Sequence, residues 1–223
     1  RRYGFHGTSH RYVARRAAAL IDRDKTQLNL ITCHLGNGCS ITAVKQGQSI
    51  DTSMGMTPLE GVVMGTRCGD LDPAIVFYLA EKGYSISQLN EMFNTKSGLL
   101  GISGASNDMR NLVELAGKGH IRARLAIDIF CYRIKKYIGA YTAVLGRLDA
   151  LVFTGGIGEN SPPIRARICS DMPQIGIEID QNLNAQDSQE RLISSADARV
   201  KIYVIPTDEE AAIAFDTFEL TQK

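Results

Sequence analysis

The chain has 223 residues, 44% of them hydrophobic, and its 25 basic and 24 acidic side chains leave a formal charge of +1. That length allows one large domain or two small ones around a substantial core. The balance of charge excludes an extended polyanion such as DNA as the main partner, because such binders carry a basic stripe, but it is compatible with a small anion held by one or two arginines.

In chain order, the first residues are Arg1-Arg2-Tyr3, without an initiating Met, and by Phe5-His6-Gly7-Thr8 the chain is inside a polar, glycine-containing segment. This reads as a piece of a longer protein, with a processed mature chain as the alternative. Ser9 is expected to cap a helix running to about Asp22, with Val13, Ala17, Leu20 and Ile21 on its apolar face. Residues 28–34 read as a buried strand, Gly36-Asn37-Gly38 as a turn, 40–45 as a second strand, Gln46-Gly47 as a turn and 48–53 as a third strand, which makes a meander. Asp72-Pro73 opens a helix that ends at Gly83, and shorter helices are expected near 86–94 and 107–116. A long helix over 120–145 places Ile121, Leu125, Ile129, Ile134, Ile138, Tyr141 and Leu145 at helical spacing. Residues 149–154 form a strand that stops at Gly155-Gly156, and Ser161-Pro162 opens the next helix. The last strand is 200–205, followed by a capping box, Thr207-x-x-Glu210, and a final helix. The order β-β-β-α-β-α-β-α with helical insertions predicts one α/β domain with a mixed sheet, of the RNase H-like kind that forms half of the actin, Hsp70 and sugar-kinase superfamily. The cysteines Cys33, Cys39, Cys68, Cys131 and Cys169 make no C-x-x-C pair and read as reduced thiols in a cytoplasmic protein. No apolar run approaches the roughly 18 residues of a membrane span, so no membrane partner is expected.

Several segments carry chemistry in more than one reading. The His34-Leu35-Gly36-Asn37-Gly38 loop exposes backbone N–H groups to a phosphate, or is an ordinary Asn-Gly hairpin. Thr154-Gly155-Gly156-Ile157-Gly158-Glu159-Asn160 leads a buried strand into a helix start, a place nucleotide phosphates favour, or is a structural turn. Arg67, among small residues in Gly65-Thr66-Arg67-Cys68-Gly69-Asp70, can fork onto a phosphoryl group or be merely solvated. His6-x-x-x-His10 lacks the glutamate of a zinc helix motif, and Gly7 is expected to break a helix between the two. His6 suits an oxyanion, whereas His10 packs or caps. Asp108 either accepts from a ribose hydroxyl or caps a helix, and Arg110 can stack on a base. Asp208, Glu209 and Glu210 suit the first turn of a helix and also a Mg²⁺ ion held through water.

Six runs, in order, resemble the acetate kinases: 1–10 (Arg-Arg-Tyr-Gly-Phe-His-Gly-Thr-Ser-His), 33–38 (Cys-His-Leu-Gly-Asn-Gly), 51–61 (Asp-Thr-Ser-Met-Gly-Met-Thr-Pro-Leu-Glu-Gly), 64–67 (Met-Gly-Thr-Arg), 153–160 (Phe-Thr-Gly-Gly-Ile-Gly-Glu-Asn) and 205–210 (Ile-Pro-Thr-Asp-Glu-Glu). The resemblance implies transfer of a phosphoryl group between ATP and acetate, with a propionate or other short-chain carboxylate kinase as the near alternative and a non-catalytic nucleotide-binding module as the distant one. It implies that His6 and Arg67 stabilise the transferring group and that 34–38 (His34, Leu35, Gly36, Asn37, Gly38) contact the ATP phosphates. Asp108, Met109 and Arg110 would then lie near the adenosine, and Gly156, Ile157, Gly158, Glu159 and Asn160 would close the nucleotide cleft. Glu209 would associate with Mg²⁺, or Mn²⁺ in its place. Asp208 stands where the family usually has asparagine, which adds charge beside the metal position, and Cys39 and Cys68 stand where small residues are common. The resemblance further implies an N-terminal half outside these residues, bearing a second arginine and most of the carboxylate pocket, so that 1–223 is the C-terminal nucleotide-binding and dimerisation domain. A homodimer is expected through this half, with Phe130 and Tyr137 on the far side of the long helix as candidates to meet a partner.

Overall fold

The computed structural model describes residues 2–187 and 189–222. The chain opens with α1 (Gly7–Ile21), then the meander β1 (Asn29–Leu35), β2 (Cys39–Lys45) and β3 (Gln48–Thr52). A helical block follows: α2 (Ala74–Glu81), α3 (Ile86–Thr95), α4 (Gly98–Ser103), α5 (Met109–Gly117) and the long α6 (Ile121–Leu145). Then come β4 (Ala150–Thr154), α7 (Gly155–Asn160), α8 (Pro162–Cys169), α9 (Gln181–Ala185), β5 (Arg191–Leu192), β6 (Lys201–Val204) and α10 (Glu209–Thr221). The strands form one sheet in the order β3-β2-β1-β4-β6-β5, with β1, β4 and β6 parallel and the others antiparallel to their neighbours. This is the mixed α/β sheet expected from the order of elements.

Strand alternation sends successive side chains to opposite faces, and here it separates two cores. Ile31, Cys33 and Leu35 of β1, with Cys39, Ile41 and Ala43 of β2, join the larger core under α4, α5, α6 and α8. Leu30 and Val44 join Ala150, Val152 and the inner face of α1. On that second face the apolar residues give way, toward the β1–β2 turn, to Thr32, His34, Ser40 and Thr42, with His34 opposite Ser40 and Thr32 opposite Thr42. The end of the sheet nearest the start of α1 is therefore polar.

Some local expectations are corrected. Ser9 does not cap α1: the N-cap lies three residues earlier, at His6 with φ 57°, and the Ser9 hydroxyl turns inward to His34. Gly7 does not break the helix but begins it. The cap of α10 is Asp208, whose Oδ1 accepts from the Ala211 N–H at 2.9 Å, and not Thr207. The aspartate reaches the third amide directly, which removes the need for a reciprocal capping box. The helices α4 and α9 and the two-residue β5 are too short to leave a periodic signal, and α7 occupies a segment that reads as a glycine turn. Phe130 does not project to a partner, being fully buried in the larger core, whereas Tyr137 is half-buried and donates its hydroxyl to Asp70 at 2.7 Å. Much of the apolar surface of α6 packs against α4, α5 and α8, whereas Ile121 and Leu125 of the expected apolar face, with Tyr132 and Val144, stay exposed. Among the described residues no helix is long and apolar enough to cross a membrane.

Candidate active site

Three histidines meet where α1 begins. The positive φ of His6 swings its ring over the ends of β1 and β2, where it stacks on His34 with centroids 4.2 Å apart. His6 Nδ1 lies 2.9 Å from Ser40 Oγ. One turn into the helix, His10 bridges the strands, with Nδ1 2.7 Å from Thr32 Oγ1 and Nε2 2.6 Å from Ser40 Oγ. His34 Nδ1 lies 2.8 Å from Ser9 Oγ. Among the described residues no carboxylate hydrogen-bonds to this cluster, and burial disfavours its charged forms. Desolvation, with the neighbouring histidines adding to it, pulls His10 down to about 3 and His34 to about 4. His6 is also lowered, first by burial; Glu209 opposes that shift and Arg67 reinforces it.

The other ring nitrogen of His6 faces the Gly36-Asn37-Gly38 turn. A methyl group built on Gly38 would lie 3.6 Å from His6 Nε2 and 3.5 Å from Arg67 Nη1. The glycine therefore keeps open a space small enough for one group, bounded by an imidazole and a guanidinium. Arg67 is half-buried and donates from Nη1 to Pro58 O at 2.9 Å, which fixes its reach. The two loops are tied together: Gly65 N–H donates to Asn37 O at 3.0 Å, and Asn107 Nδ2 donates to Asn37 Oδ1 at 3.0 Å.

From this point a cleft of about 750 Å³ runs between the turn, the start of α5 and α7. Gly36, Asn37, Asp108, Met109, Arg110, Gly156, Ile157 and Asn160 line it, together with Asn107 and Val113. The volume is of the size small-ligand clefts have. Asp108 caps α5 by accepting from Arg110 N–H at 2.9 Å and also pairs with the Arg110 guanidinium at 2.6 Å, so capping and cleft lining are one and the same placement.

Other residues of the expected site lie elsewhere. The Leu35 side chain is fully buried in the larger core, and His34 belongs to the histidine cluster instead of the cleft. Gly158 is buried against Phe153. Glu159 turns its Oε1 back to accept from Gly155 N–H at 2.8 Å, with Thr154 Oγ1 and Thr207 N each 3.3 Å away. Sequence reasoning missed Ser40, Thr32 and Ser9, although period-two alternation places Thr32, His34 and Ser40 on one face. It also missed Arg165, fully buried, which donates to the carbonyls of Gly158, Glu159 and Asn184 and to Asn184 Oδ1, each at 2.8 Å. Nothing in a helical Ile-Arg-Ala-Arg run marks one arginine as buried.

Glu209 and Glu210 are exposed in the first turn of α10. Among the described residues no group of three or more His, Cys, Asp or Glu side chains could hold a metal alone.

The comparisons with known proteins agree with this geometry. The sequence profile of the Acetokinase family matches residues 1–215. The acetate kinase of Dictyoglomus thermophilum is 57% identical over 100% of this chain and 56% of its own length, and that of Methanosarcina acetivorans is 57% identical over 100% and 55%. Among solved structures, Porphyromonas gingivalis acetate kinase matches with a TM-score of 0.96 at 48% identity, covering 99% of this chain and 56% of that one. A propionate kinase from Francisella tularensis gives 0.90 at 50% identity, covering 96% and 54%. The chain spans about half the length of the curated relatives it matches. With a histidine and an arginine converging on a glycine turn at the head of a nucleotide-sized cleft, and with such identity along its whole length, the chain belongs to the acetokinase family.

Proposed function

We propose that the chain is the C-terminal, nucleotide-binding half of a two-domain cytoplasmic acetate kinase, which moves the γ-phosphoryl group of ATP to acetate, reversibly, to give acetyl phosphate and ADP. The observation that carries the reading is the space beside Gly38, bounded by His6 Nε2 and Arg67 Nη1, at the head of the cleft. Phosphoryl transfer asks little covalent work of a protein; it asks for in-line positioning and for charge opposite the equatorial oxygens. Arg67 supplies a fixed positive charge and His6 a ring nitrogen at that point. Backbone N–H groups of Asn37 and Gly38 hold the phosphate tail, that of Gly36 being engaged by Gly38 O at 3.1 Å, and the cleft between α5 and α7 takes the adenosine beside Asp108, Met109 and Arg110. His34 and Leu35 support the turn from beneath, and Gly158 and Glu159 hold the α7 wall. Mg²⁺, with Mn²⁺ as a substitute, would sit by Glu209 and neutralise phosphate charge when bound. Acetate is taken as acceptor because the curated relatives quoted above are acetate kinases.

The test is the full-length enzyme with ATP and acetate, followed by acetyl phosphate formation and repeated with propionate. A kcat/KM for propionate above that for acetate would move the assignment to the propionate kinases. Absence of phosphoryl transfer to either acid, in folded protein that binds ADP, would leave a nucleotide-binding module.

A further inference from the structure

Thr32, His10, Ser40 and His6 form an unbranched line of three hydrogen bonds, of 2.7, 2.6 and 2.9 Å. Thr32 and Ser40 are fully buried and His10 nearly so. The direction of the line follows from counting protons. A hydroxyl carries one, and a buried O–H needs an acceptor. Among the described residues Thr32 Oγ1 has a single hydrogen-bond partner, His10 Nδ1, so it donates there and Nδ1 is bare. A neutral His10 then bears its proton on Nε2 and donates it to Ser40 Oγ. The Ser40 proton has one place left to go, His6 Nδ1. His6 is thereby an acceptor at Nδ1 and, being neutral, carries its proton on Nε2, the nitrogen beside Gly38 and Arg67. The reverse direction would strand the Thr32 proton in the interior with nothing to receive it.

We propose that Ser40, in direct contact with His6, and Thr32, acting through His10 and Ser40, are positioning residues that lock His6 in its Nε2–H tautomer, so that a neutral imidazole meets the transferring phosphoryl group as a hydrogen-bond donor. The proposal rests on the functional reading above and deepens it. The other tautomer would aim a lone pair at phosphoryl oxygens and oppose the reaction. A neutral donor adds to the charge of Arg67 without the repulsion that a second cation would bring. Burial among neutral groups, which lowers both His6 and His10, is consistent with it.

The experiment uses the full-length enzyme labelled with ¹⁵N-histidine, the His6 signals being identified by their loss in His6→Gln. The expected spectrum shows His6 protonated at Nε2 and bare at Nδ1, with the two tautomers mixed in Ser40→Ala. A His6 proton on Nδ1 in the wild type overturns the proposal. In kinetics, Ser40→Ala should lower kcat by about tenfold, the scale of one lost hydrogen bond to a reacting group, with the KM for ATP nearly unchanged. Thr32→Val, which keeps the shape and removes the hydroxyl, should lower kcat in the same way, and Thr32→Ser should keep it. A mere packing role gives the opposite pattern, with Thr32→Ser impaired and Thr32→Val silent, and so overturns the proposal. If His6→Ala cripples the enzyme while Ser40→Ala and Thr32→Val turn over at the full rate, the hydrogen-bond line alone is refuted. If His6→Ala is itself silent, the assignment of His6 falls and the line falls with it.

Discussion

At the scale of single residues, the site sets a charged group and a neutral one side by side. Arg67 sets a guanidinium beside Gly38, and in the proposed function it meets its best geometry only in the transition state, so Arg67→Ala in the full-length enzyme should cost kcat about 10² to 10³-fold and change the KM for ATP little. Arg67→Lys should rescue little, because an ammonium cannot make the planar two-pronged contact. A wild-type kcat in Arg67→Ala with an unchanged melting temperature would remove Arg67 from the mechanism. The neutral histidines carry a stability consequence. His10 and His34 are held at about 3 and about 4, below the usual 6.5. The unfolded chain therefore binds protons that the folded one refuses, so their contribution is fully present above pH 6.5 and is lost as pH falls toward those values. The slope should approach about 2.7 kcal/mol per pH unit for two protons. A urea midpoint that stays flat from pH 7.5 to 4.5 would show that both rings accept protons in the folded state. Arg165 sits apart from the chemistry, yet its guanidinium is fully buried among oxygen acceptors. Arg165→Ala should destabilise by about 3 kcal/mol or more, since the carbonyls of Gly158 and Asn184 lose their guanidinium donor in the interior, while Glu159 O keeps Arg191 Nη2 at 3.1 Å.

At the scale of elements, the junction of β4 and α7 decides whether the cleft stays open. Gly155 there has φ 77°, and a Cβ on it would lie 2.8 Å from Leu35 O. Both the backbone conformation and the space exclude a side chain. Gly155→Ala should push α7 away from β1, weakening ADP binding and lowering the melting temperature together, whereas an unchanged Kd in calorimetry would show that α7 does not form the wall. The same junction shows what the sequence makes legible. The strand over 149–154 and the glycines after it are plain in the pattern, because a buried strand and a positive φ each leave a compositional mark. The helix α7 is not, because its start is two glycines and its stability comes from Glu159 folding back on Gly155 and from Arg165 on its last carbonyls. Those contacts join residues whose proximity the sequence does not encode locally. The histidine cluster is legible only in part, for the same reason. His6 and His34 announce themselves by motif, whereas Ser40 and Thr32 look like ordinary strand residues until the register of β1 on β2 sets them under α1.

At the scale of the whole molecule, the cleft is lined by the β1–β2 turn, α5 and α7 of a chain that spans about half the length of its relatives. Isolated 1–223 should bind ADP weakly and form acetyl phosphate poorly, because the proposed nucleotide contacts lie within it while the carboxylate pocket is expected in the other half. Turnover near the full-length rate would contradict that division of labour. We propose that the homodimer expected through this half, with Phe130 buried internally, forms over the exposed Phe77, Tyr78 and Ile86 of α2 and α3. Light scattering on the full-length protein should give twice the chain mass at tens of micromolar, and Phe77→Asp should shift it toward one chain; a monomeric wild type would end the idea. The Glu159 carboxylate has a further, mechanical consequence. A single oxygen, Oε1, receives the first amide of α7 and the amide of Thr207, two residues ahead of Glu209. The nucleotide wall and the acidic turn of α10 are thus hinged on one atom, and displacement of either strains the other's hydrogen bond. In amide exchange the two amides should open as a unit, protected together when ADP occupies the cleft, and Glu159→Gln should let Thr207 exchange while Gly155 stays closed.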